Sequence, residues 1–176
     1  MPRELLLTGP RAVRLVAYDE APLEPRQVRA RGVVSGVSHG TELALYRGVS
    51  AFDRKRFDLA LRLFVDEPEQ DAYPMRLGYE WIGVVQDAGD GVHGVQVGDR
   101  LHLSLPHRET QTAEIADDAR APWTVLPSGL SPERATLLQS TTIALQAVHD
   151  ARLKAGDRTV VFEDAIEVGR HDASRH

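Results

Sequence analysis

The sequence predicts a mainly β fold with a few helices, of the α+β class. Short runs of alternating apolar and polar residues recur along the chain, separated by turns rich in glycine and proline. The most organised stretch is Gly78–Leu101, where a strand at Trp81–Val85 leads through a Gly/Asp-rich connection to a second strand at Leu101–Leu105. Strong helix-start signals come late, at Ser131-Pro132-Glu133, where a hydroxyl N-cap precedes proline and an acidic residue.

The composition is that of an ordinary globular protein. The chain has 176 residues, of which 42% are hydrophobic, and a net charge of −5. This charge does not indicate the excess of basic residues that nucleic-acid binding requires. No apolar run approaches the ~20 residues of a membrane span, and the N-terminus lacks a signal-peptide core. The absence of cysteine excludes disulfides, thiolate catalysis and cysteine-ligated zinc. We therefore expect a cytoplasmic protein without nucleic-acid or membrane partners.

The N-terminal third is predicted to be mostly strand. Glu4–Thr8 and Ala12–Tyr18 surround the turn Gly9-Pro10, which is typical of a hairpin. Gln27–Ser35 alternates in the manner of a half-buried strand, with one face formed by Val28, Ala30 and Gly32.

A polar turn framed by glycines follows and leads into a short helix at Thr41–Arg47. Side chains of such a turn can converge on a cleft, and the candidates are Ser38, His39, Thr41 and Glu42. The alternative is a helix-entry turn whose polar groups are solvated. Residues 50–75 are predicted to be irregular, because Phe52–Phe64 fits neither the helix nor the strand period and Asp66–Asp71 is an acidic loop.

The central stretch contains several glycines that fit bends or positive-φ positions, at 83, 89, 91, 94 and 98. Alternation in the following strand places the leucines of Leu101–Leu105 on one face and His102 and Ser104 on the other. His107, after Pro106, either lines a cleft or is a loop histidine in solvent.

The C-terminal part is predicted to contain two further strands and two helices. The strands are Thr112–Ala116 and Trp123–Pro127, and Trp123 is expected to be a core residue rather than a platform for substrate. One helix runs from Ser131 to Gln139 and the next from Ser140 to Ala151, which makes Thr142 a candidate helix cap or a pocket residue.

Three motifs together are more specific than the periodicity. Gly78 begins the pattern G-x-E-x-x-G-x-V, Gly89 begins G-D-G-V, and Val97 begins V-G-D-R. This order resembles the signature of the medium-chain dehydrogenase/reductase superfamily, which includes the alcohol dehydrogenases, and the resemblance covers roughly residues 4–162. It implies a GroES-like, partly open β-barrel that holds substrate, followed by a Rossmann domain that holds NAD(P).

The resemblance also implies that the zinc ligands of the superfamily are absent. Ser38 stands at the cysteine position, Tyr79 at the histidine position and Leu138 near the third ligand, while Glu80 keeps the family's glutamate. The four-cysteine structural zinc loop is replaced by Pro106–Thr110. The S-x-G-T-E form is similar to a zinc-independent branch that includes relatives of bacteriochlorophyllide dehydrogenases. We expect no bound metal, because one carboxylate does not hold zinc.

The family's nucleotide-binding turn is not recognisable either. After the predicted strand Thr159–Phe162 the chain reads Glu163-Asp164-Ala165-Ile166-Glu167-Val168-Gly169, with three acids where a glycine-rich turn would hold phosphates. We therefore predict no cofactor. The expected organisation is a GroES-like domain over residues 1–158 and a vestigial Rossmann strand with a polar tail over 159–176.

Three functions remain open at the level of sequence. The first is a truncated, zinc-independent dehydrogenase domain that binds a small organic substrate and needs a separate nucleotide-binding domain for redox activity, supplied by another chain or by a longer parent. The second is a cofactor-free acid–base enzyme for cyclisation, elimination or isomerisation, as in natural-product biosynthesis. The third is a non-catalytic binding module or a truncated gene product. The expected partners are a small-molecule substrate and either a second copy of this chain, as a homodimer, or a separate nucleotide-binding chain. The candidate catalytic residues are His39, Glu42, Tyr79 and Glu80, and the candidate substrate-pocket residues are Ser38, Thr41, His107 and Thr142.

Overall fold

The computed structural model describes residues 1–50, 55–66, 73–116, 123–152, 154, 156 and 158. The chain divides into two compact units. The first comprises Met1–Leu5, Leu15–Val37 and Arg76–Asp157, and the second comprises Leu6–Arg14, Ser38–Met75 and Arg158–His176.

Strands dominate the described residues. In chain order they are β1 (Arg3–Gly9), β2 (Ala12–Ala17), β3 (Gln27–Gly36), β4 (Lys55–Asp58), β5 (Leu63–Asp66), β6 (Met75–Arg76), β7 (Glu80–Ala88), β8 (Arg100–Leu103), β9 (Thr110–Glu114) and β10 (Trp123–Val125). The helices are α1 (Thr41–Arg47), α2 (Pro132–Ala135) and α3 (Leu138–Asp150). This confirms the predicted mainly β class with a few helices.

The first unit is built on a five-stranded sheet of order β10-β8-β7-β3-β9. All four pairings are antiparallel, and β3 pairs with both β7 and β9. The alternation predicted for β3 is confirmed, since Val28 and Ala30 are fully buried. They pack in a core cluster with Trp81, Leu101 and Leu103.

The glycine in the G-x-E-x-x-G pattern is explained by the ring of Trp81. A Cβ atom on Gly83 would lie 2.1 Å from Cη2 of Trp81 and 2.6 Å from the carbonyl oxygen of Arg31. The indole Nε1 donates to the carbonyl of Arg108 at 2.7 Å, which holds the ring over the glycine. Gly83 is therefore required by close approach.

The glycine expectations are only partly confirmed. Gly94 and Gly98 do adopt positive φ, at 77° and 96°. Gly83 and Gly89 do not, because what they avoid is a clash: a Cβ on Gly89 would lie 2.4 Å from the carbonyl oxygens of Glu24 and Pro25. The sequence alone does not show whether a glycine is required by a positive φ or by the lack of space for a Cβ atom.

The helix start at Ser131 is confirmed, but the boundary between the two C-terminal helices was predicted too late. Ser131 Oγ accepts from the N–H of Arg134 at 3.3 Å, with Pro132 in the first turn. α2 ends at Ala135, and α3 already begins at Leu138. Thr142 therefore lies inside α3, where its hydroxyl donates to the Leu138 carbonyl at 2.8 Å, so it is not a cap.

The second unit contains α1, which has the predicted bounds. It also contains a hairpin that was not predicted from the sequence. α1 ends at Gly48, whose φ of 67° is the left-handed conformation that favours glycine. β4 and β5 pair antiparallel from Lys55↔Asp66 to Asp58↔Leu63, and the rings of Phe57 and Phe64 meet edge to face at 5.2 Å. The prediction of irregular structure across residues 55–66 is therefore wrong.

The remaining strand predictions are confirmed within a few residues, as for β1 and β2 around the turn after Gly9. The strand expected to begin at Thr112 begins at Thr110. The strand Thr159–Phe162 and residues 67–71 of the acidic loop lie outside the described residues. Among the described helices, none combines the length and the hydropathy that a membrane crossing requires.

Candidate functional site

The centre of the candidate site is a buried carboxylate–histidine pair. Glu80 Oε2 lies 2.6 Å from His102 Nε2, and the two side chains are only 4% and 6% exposed. Register brings them together, since Ile82 on β7 opposes His102 on β8 and Glu80 is the diagonal neighbour two residues away. In the sequence, His102 is recognisable only as a residue on the polar face of a predicted strand, and it is not among the predicted site residues.

The second oxygen of Glu80 stabilises the start of a helix. Oε1 accepts the backbone N–H groups of Gln139 at 3.1 Å and of Ser140 at 3.3 Å. Both amides belong to the first turn of α3, which has no side-chain cap from its own N-cap residue, Leu137. A carboxylate at this position satisfies donors that the helix itself leaves open and interacts favourably with the positive end of its dipole.

A cavity of about 260 Å³ lies beside this pair. Its lining includes His102, Ser104, Trp123, Leu138, Gln139 and Thr142. Ser104 Oγ donates to Gln139 Oε1 at 3.0 Å. Of the predicted pocket residues, Thr142 is the one found in this lining.

The other predicted residues of the first unit are Tyr79 and His107. Tyr79 is half-buried and directly precedes Glu80. His107 is only 7% exposed, and its Nδ1 lies 2.8 Å from Ser35 Oγ, so the alternative of a loop histidine in solvent is wrong. Neither residue is part of the cavity lining described above.

The remaining four candidates belong to the second unit. Glu42 is buried, and its Oε2 accepts the N–H of Ser38 at 2.7 Å, so the carboxylate closes the turn that enters α1. The alternative of a solvated Glu42 is therefore wrong, whereas His39 is exposed. Thr41 and Ser38 are half-buried. The structure thus places the four predicted catalytic residues in two units, with Glu80 and Tyr79 in one and His39 and Glu42 in the other.

A separate cluster of charges in the first unit surrounds Glu4, near the start of β1. Glu4 is 5% exposed and accepts from Arg76 Nε at 2.8 Å and from Arg108 Nε at 2.7 Å. The hydrogen bond from Arg76 lowers the pKa of Glu4 most strongly, burial opposes this, and Arg108 lowers it further. The cluster stabilises the fold and is not part of the cavity.

Metal-binding side chains are not grouped in the described part of the chain. No set of three or more His, Asp or Glu side chains there could hold a metal ion.

The open sheet, with a buried glutamate at the start of its central strand, has the architecture expected of the GroES-like β domain of medium-chain dehydrogenases. Residues 32–129 match the family described as the alcohol dehydrogenase GroES-like domain. This match covers more than half of the chain, and the chain belongs to that family.

Curated relatives and solved structures agree with this assignment. D-guloside 3-dehydrogenase of Escherichia coli K12 is 26% identical over 164 residues, covering 90% of this chain and 46% of that protein. (R,R)-butanediol dehydrogenase of Bacillus subtilis 168 is 26% identical over 175 residues, covering 85% of this chain and 47% of that protein. The crystal structure of 2R,3R-butanediol dehydrogenase from Bacillus subtilis superposes with a TM-score of 0.67 at 22% identity, covering 90% of this chain and 50% of that one. The chain spans about half the length of the curated relatives it matches.

Proposed function

We propose that this chain is the substrate-binding half of a zinc-independent oxidoreductase. The cavity beside Glu80 and His102 takes a small organic substrate, and redox activity requires a nucleotide-binding domain from another chain or from sequence beyond this one. The observation that carries the proposal is the buried Glu80–His102 pair, 2.6 Å apart, whose histidine lines a cavity. Buried pairs of ionisable groups that border a cavity are frequent at functional sites.

Two features support the requirement for a second domain: the acidic sequence after the predicted strand Thr159–Phe162 and the exposed apolar side chains of α3. Residues Glu163, Asp164 and Glu167 put negative charge where the family's phosphate-binding turn would lie. From Ser140 to its last residue α3 is exposed, including large apolar side chains of 51–66% exposure at Ile143, Leu145 and Val148. Apolar surface of this kind favours docking of a partner domain or, as the alternative, a second copy of this chain.

The zinc-independent assignment rests on the donor chemistry of this chain. A serine hydroxyl, a phenol and an aliphatic side chain stand at Ser38, Tyr79 and Leu138, and the two oxygens of Glu80 already bond to His102 and to α3. Structural and catalytic zinc sites need three or four nitrogen, sulfur or carboxylate ligands. The residues present do not fit a zinc ion, and no step of the proposed function passes through one.

The proposed site residues have unequal support. Tyr79 and Glu80 adjoin each other at the start of β7, and His102 joins Glu80 directly. His39, Glu42, Ser38 and Thr41 stay candidates through their family positions, although the bond from Ser38 N–H to Glu42 supports a structural role for that carboxylate. His107 and Thr142 stay candidate pocket residues, and the position of Thr142 in the cavity lining supports it.

The experiment is reconstitution with a nucleotide-binding partner. The purified chain is assayed for NADH formation with butane-2,3-diol, alone and fused to the nucleotide-binding half of the Bacillus relative, whose name supplies the first substrate to try. We expect turnover only in the fusion and its loss in the fusion carrying Glu80→Ala. Turnover by the chain alone, or a fully active Glu80→Ala fusion, contradicts the proposal.

A second candidate is cofactor-free acid–base catalysis, favoured by the same buried pair. Glu80 orients the ring of His102 through Nε2, and an oriented imidazole can remove and return a proton on carbon next to a carbonyl. The chain is incubated with hydroxyacetone in D₂O without nucleotide. Deuterium exchange that disappears in His102→Gln favours this candidate, and exchange at the buffer rate rejects it for that substrate.

A further inference from the structure

The β4–β5 hairpin of the second unit exposes most of its side chains. Its described sheet ends at β4 on one side and at β5 on the other. The strand residues are exposed apart from Asp58 and Val65, and the rings of Phe57 and Phe64 are 44% and 47% accessible. A hairpin of two strands is marginally stable in water, whereas three or more strands that share an apolar face are stable. An open edge beside exposed rings therefore favours the addition of a further strand.

The side chains of β4 divide between two faces of different chemistry. Successive residues of a strand point to opposite faces, and directly opposed residues share a face. The pairing of Phe57 with Phe64 puts both rings on one face, where they meet edge to face at 5.2 Å. Arg56 and Asp58 lie on the other face, with Arg56 Nη1 3.8 Å from Asp58 Oδ2. β4 thus has an aromatic residue between a basic and an acidic one.

This order makes β4 complementary to itself in an antiparallel pairing. Two copies related by a twofold axis perpendicular to their sheet keep like faces together, so one residue of the strand opposes its own copy at the axis. With Phe57 at the axis, Arg56 of each copy opposes Asp58 of the other. Every other residue of β4 is charged, so a register centred on any of them would oppose two like charges. The charge pattern therefore selects the register centred on Phe57.

The same register extends the aromatic contact of the hairpin. Phe57 already faces Phe64 within one chain, so the pairing produces a row of four rings on one face of a sheet of four strands. Aromatic pairs and pairs of opposite charge across neighbouring strands are both stabilising. The edge of β5 has no such match, because Asp66 is the only charged residue within that strand.

We propose that the outer edge of β4 is a dimerisation surface whose partner is a second copy of this chain. The two hairpins form one antiparallel sheet, with reciprocal Arg56–Asp58 pairs on one face and the row of rings on the other. A single strand from each copy buries little area, so the expected dissociation constant is micromolar rather than nanomolar. The hairpin belongs to the second unit and the cavity lining to the first, so this inference is independent of the proposed function.

Exchange of charge between two variants tests the register. Arg56→Asp puts acids opposite each other at both charged positions and Asp58→Arg puts arginines there, so each is expected to raise the dimer dissociation constant about tenfold or more. A mixture of the two variants restores opposite charges at both positions and should dimerise about as tightly as the wild type. Sedimentation equilibrium measures the constants, and Leu61→Gln, an exposed turn residue outside β4, is the control that should behave as the wild type.

Two results of this experiment overturn the proposal. One is a wild-type chain that stays monomeric up to about 1 mM, since that excludes even weak association. The other is a mixture of folded variants that associates no more tightly than either variant alone. Circular dichroism checks the folding, because Asp58 Oδ1 also accepts the N–H groups of Ala60 and Leu61.

Single cysteines test the register without changing a charge or the acceptor of the turn. The chain has no cysteine, so Phe57→Cys introduces one thiol at the proposed axis. Opposed Cβ atoms of neighbouring strands lie about 5 Å apart, so a short bis-maleimide should join two copies at this position. Leu61→Cys, in the turn beyond β4, is the control and should give little covalent dimer. Equal yields of covalent dimer from the two variants overturn the proposal.

Vesicle binding distinguishes a second copy from a lipid surface, which exposed aromatic and aliphatic side chains can also contact. A chain that is monomeric in solution and co-sediments with vesicles of phosphatidylcholine and phosphatidylserine overturns the proposal. A dimer that forms without vesicles and is lost in Arg56→Asp supports it.

Discussion

Glu80 joins a strand, a histidine and a helix through one carboxylate. Its two oxygens accept from different elements, His102 on β8 and the first amides of α3. The His102 ring is then satisfied away from bulk water, where an unsatisfied donor costs about 1–3 kcal/mol, and the two part-buried amides receive an acceptor. The residue that the family motif marks is therefore also a structural centre of the first unit.

Glu80→Ala is expected to lower the free energy of unfolding by about 3 kcal/mol, because it leaves a buried imidazole and two helix amides without their acceptor. Urea denaturation measures the loss. Glu133→Ala, which removes an exposed acid from the first turn of α2, is the control and should cost less than about 1 kcal/mol. An equal loss of unfolding free energy in the two variants would mean that the Glu80 contacts contribute little to stability.

Gly83→Ala is expected to cost about 1–3 kcal/mol, because the added methyl group overlaps the Trp81 ring and the Arg31 carbonyl. The matched control is Gly129→Ala, where a Cβ meets no atom within 4 Å and φ is not positive. The difference between the two unfolding free energies isolates the clash. A Gly83→Ala variant as stable as the Gly129→Ala variant would contradict the packing described for Trp81.

At the scale of elements, local patterns predicted β1, β2, β3 and α1 well, because each is set by its own alternation, cap or turn. The Glu80–His102 pair was not predicted, because it depends on the register between β7 and β8, which sequence spacing does not reveal. A usable signal was present: a histidine between leucines in a strand that follows a strand beginning with glutamate. The β4–β5 hairpin was missed because its apolar residues are largely exposed and follow no one-sided pattern.

The attachment of β1 through Glu4 is expected to weaken in acid. Because the pKa of Glu4 is lowered from its ordinary value of 4.5, chiefly by the hydrogen bond from Arg76, its stabilisation is complete above that value and is lost as the pH falls through the lower folded pKa. Urea denaturation of the wild type and of Glu4→Gln is compared at neutral and acid pH. The difference between their unfolding free energies should become smaller at acid pH. A difference that stays constant or grows contradicts the stabilising role of the ionised Glu4 carboxylate.

Helix α3 is expected to tolerate polar substitution, because the structure buries none of its residues. The double variant Leu145→Gln, Val148→Gln should change the unfolding free energy by no more than about 0.5 kcal/mol per site. Sedimentation velocity then tests whether this surface mediates self-association, which the variant should reduce. A large loss of stability would show that these side chains are packed in solution.

At the scale of the whole molecule, the fold class and the family were predictable, because the glycine and acidic positions of Gly78–Arg100 carry the pattern on which the family resemblance rests. The composition of the site was less predictable. Its named candidates divide between two units, and the cavity is formed by residues from β8, β10 and α3 that lie far apart in sequence. Substrate identity depends on that assembled wall, so no single stretch of sequence carries it.

The central claim is that this chain provides a substrate site and does not by itself hold a nicotinamide nucleotide. Isothermal titration calorimetry of the purified chain with NADPH and with NADH tests it most directly. The account predicts no saturable heat for either nucleotide, because Glu163, Asp164 and Glu167 stand at the sequence positions of the family's phosphate-binding turn. Saturable binding of either nucleotide with micromolar affinity would contradict it.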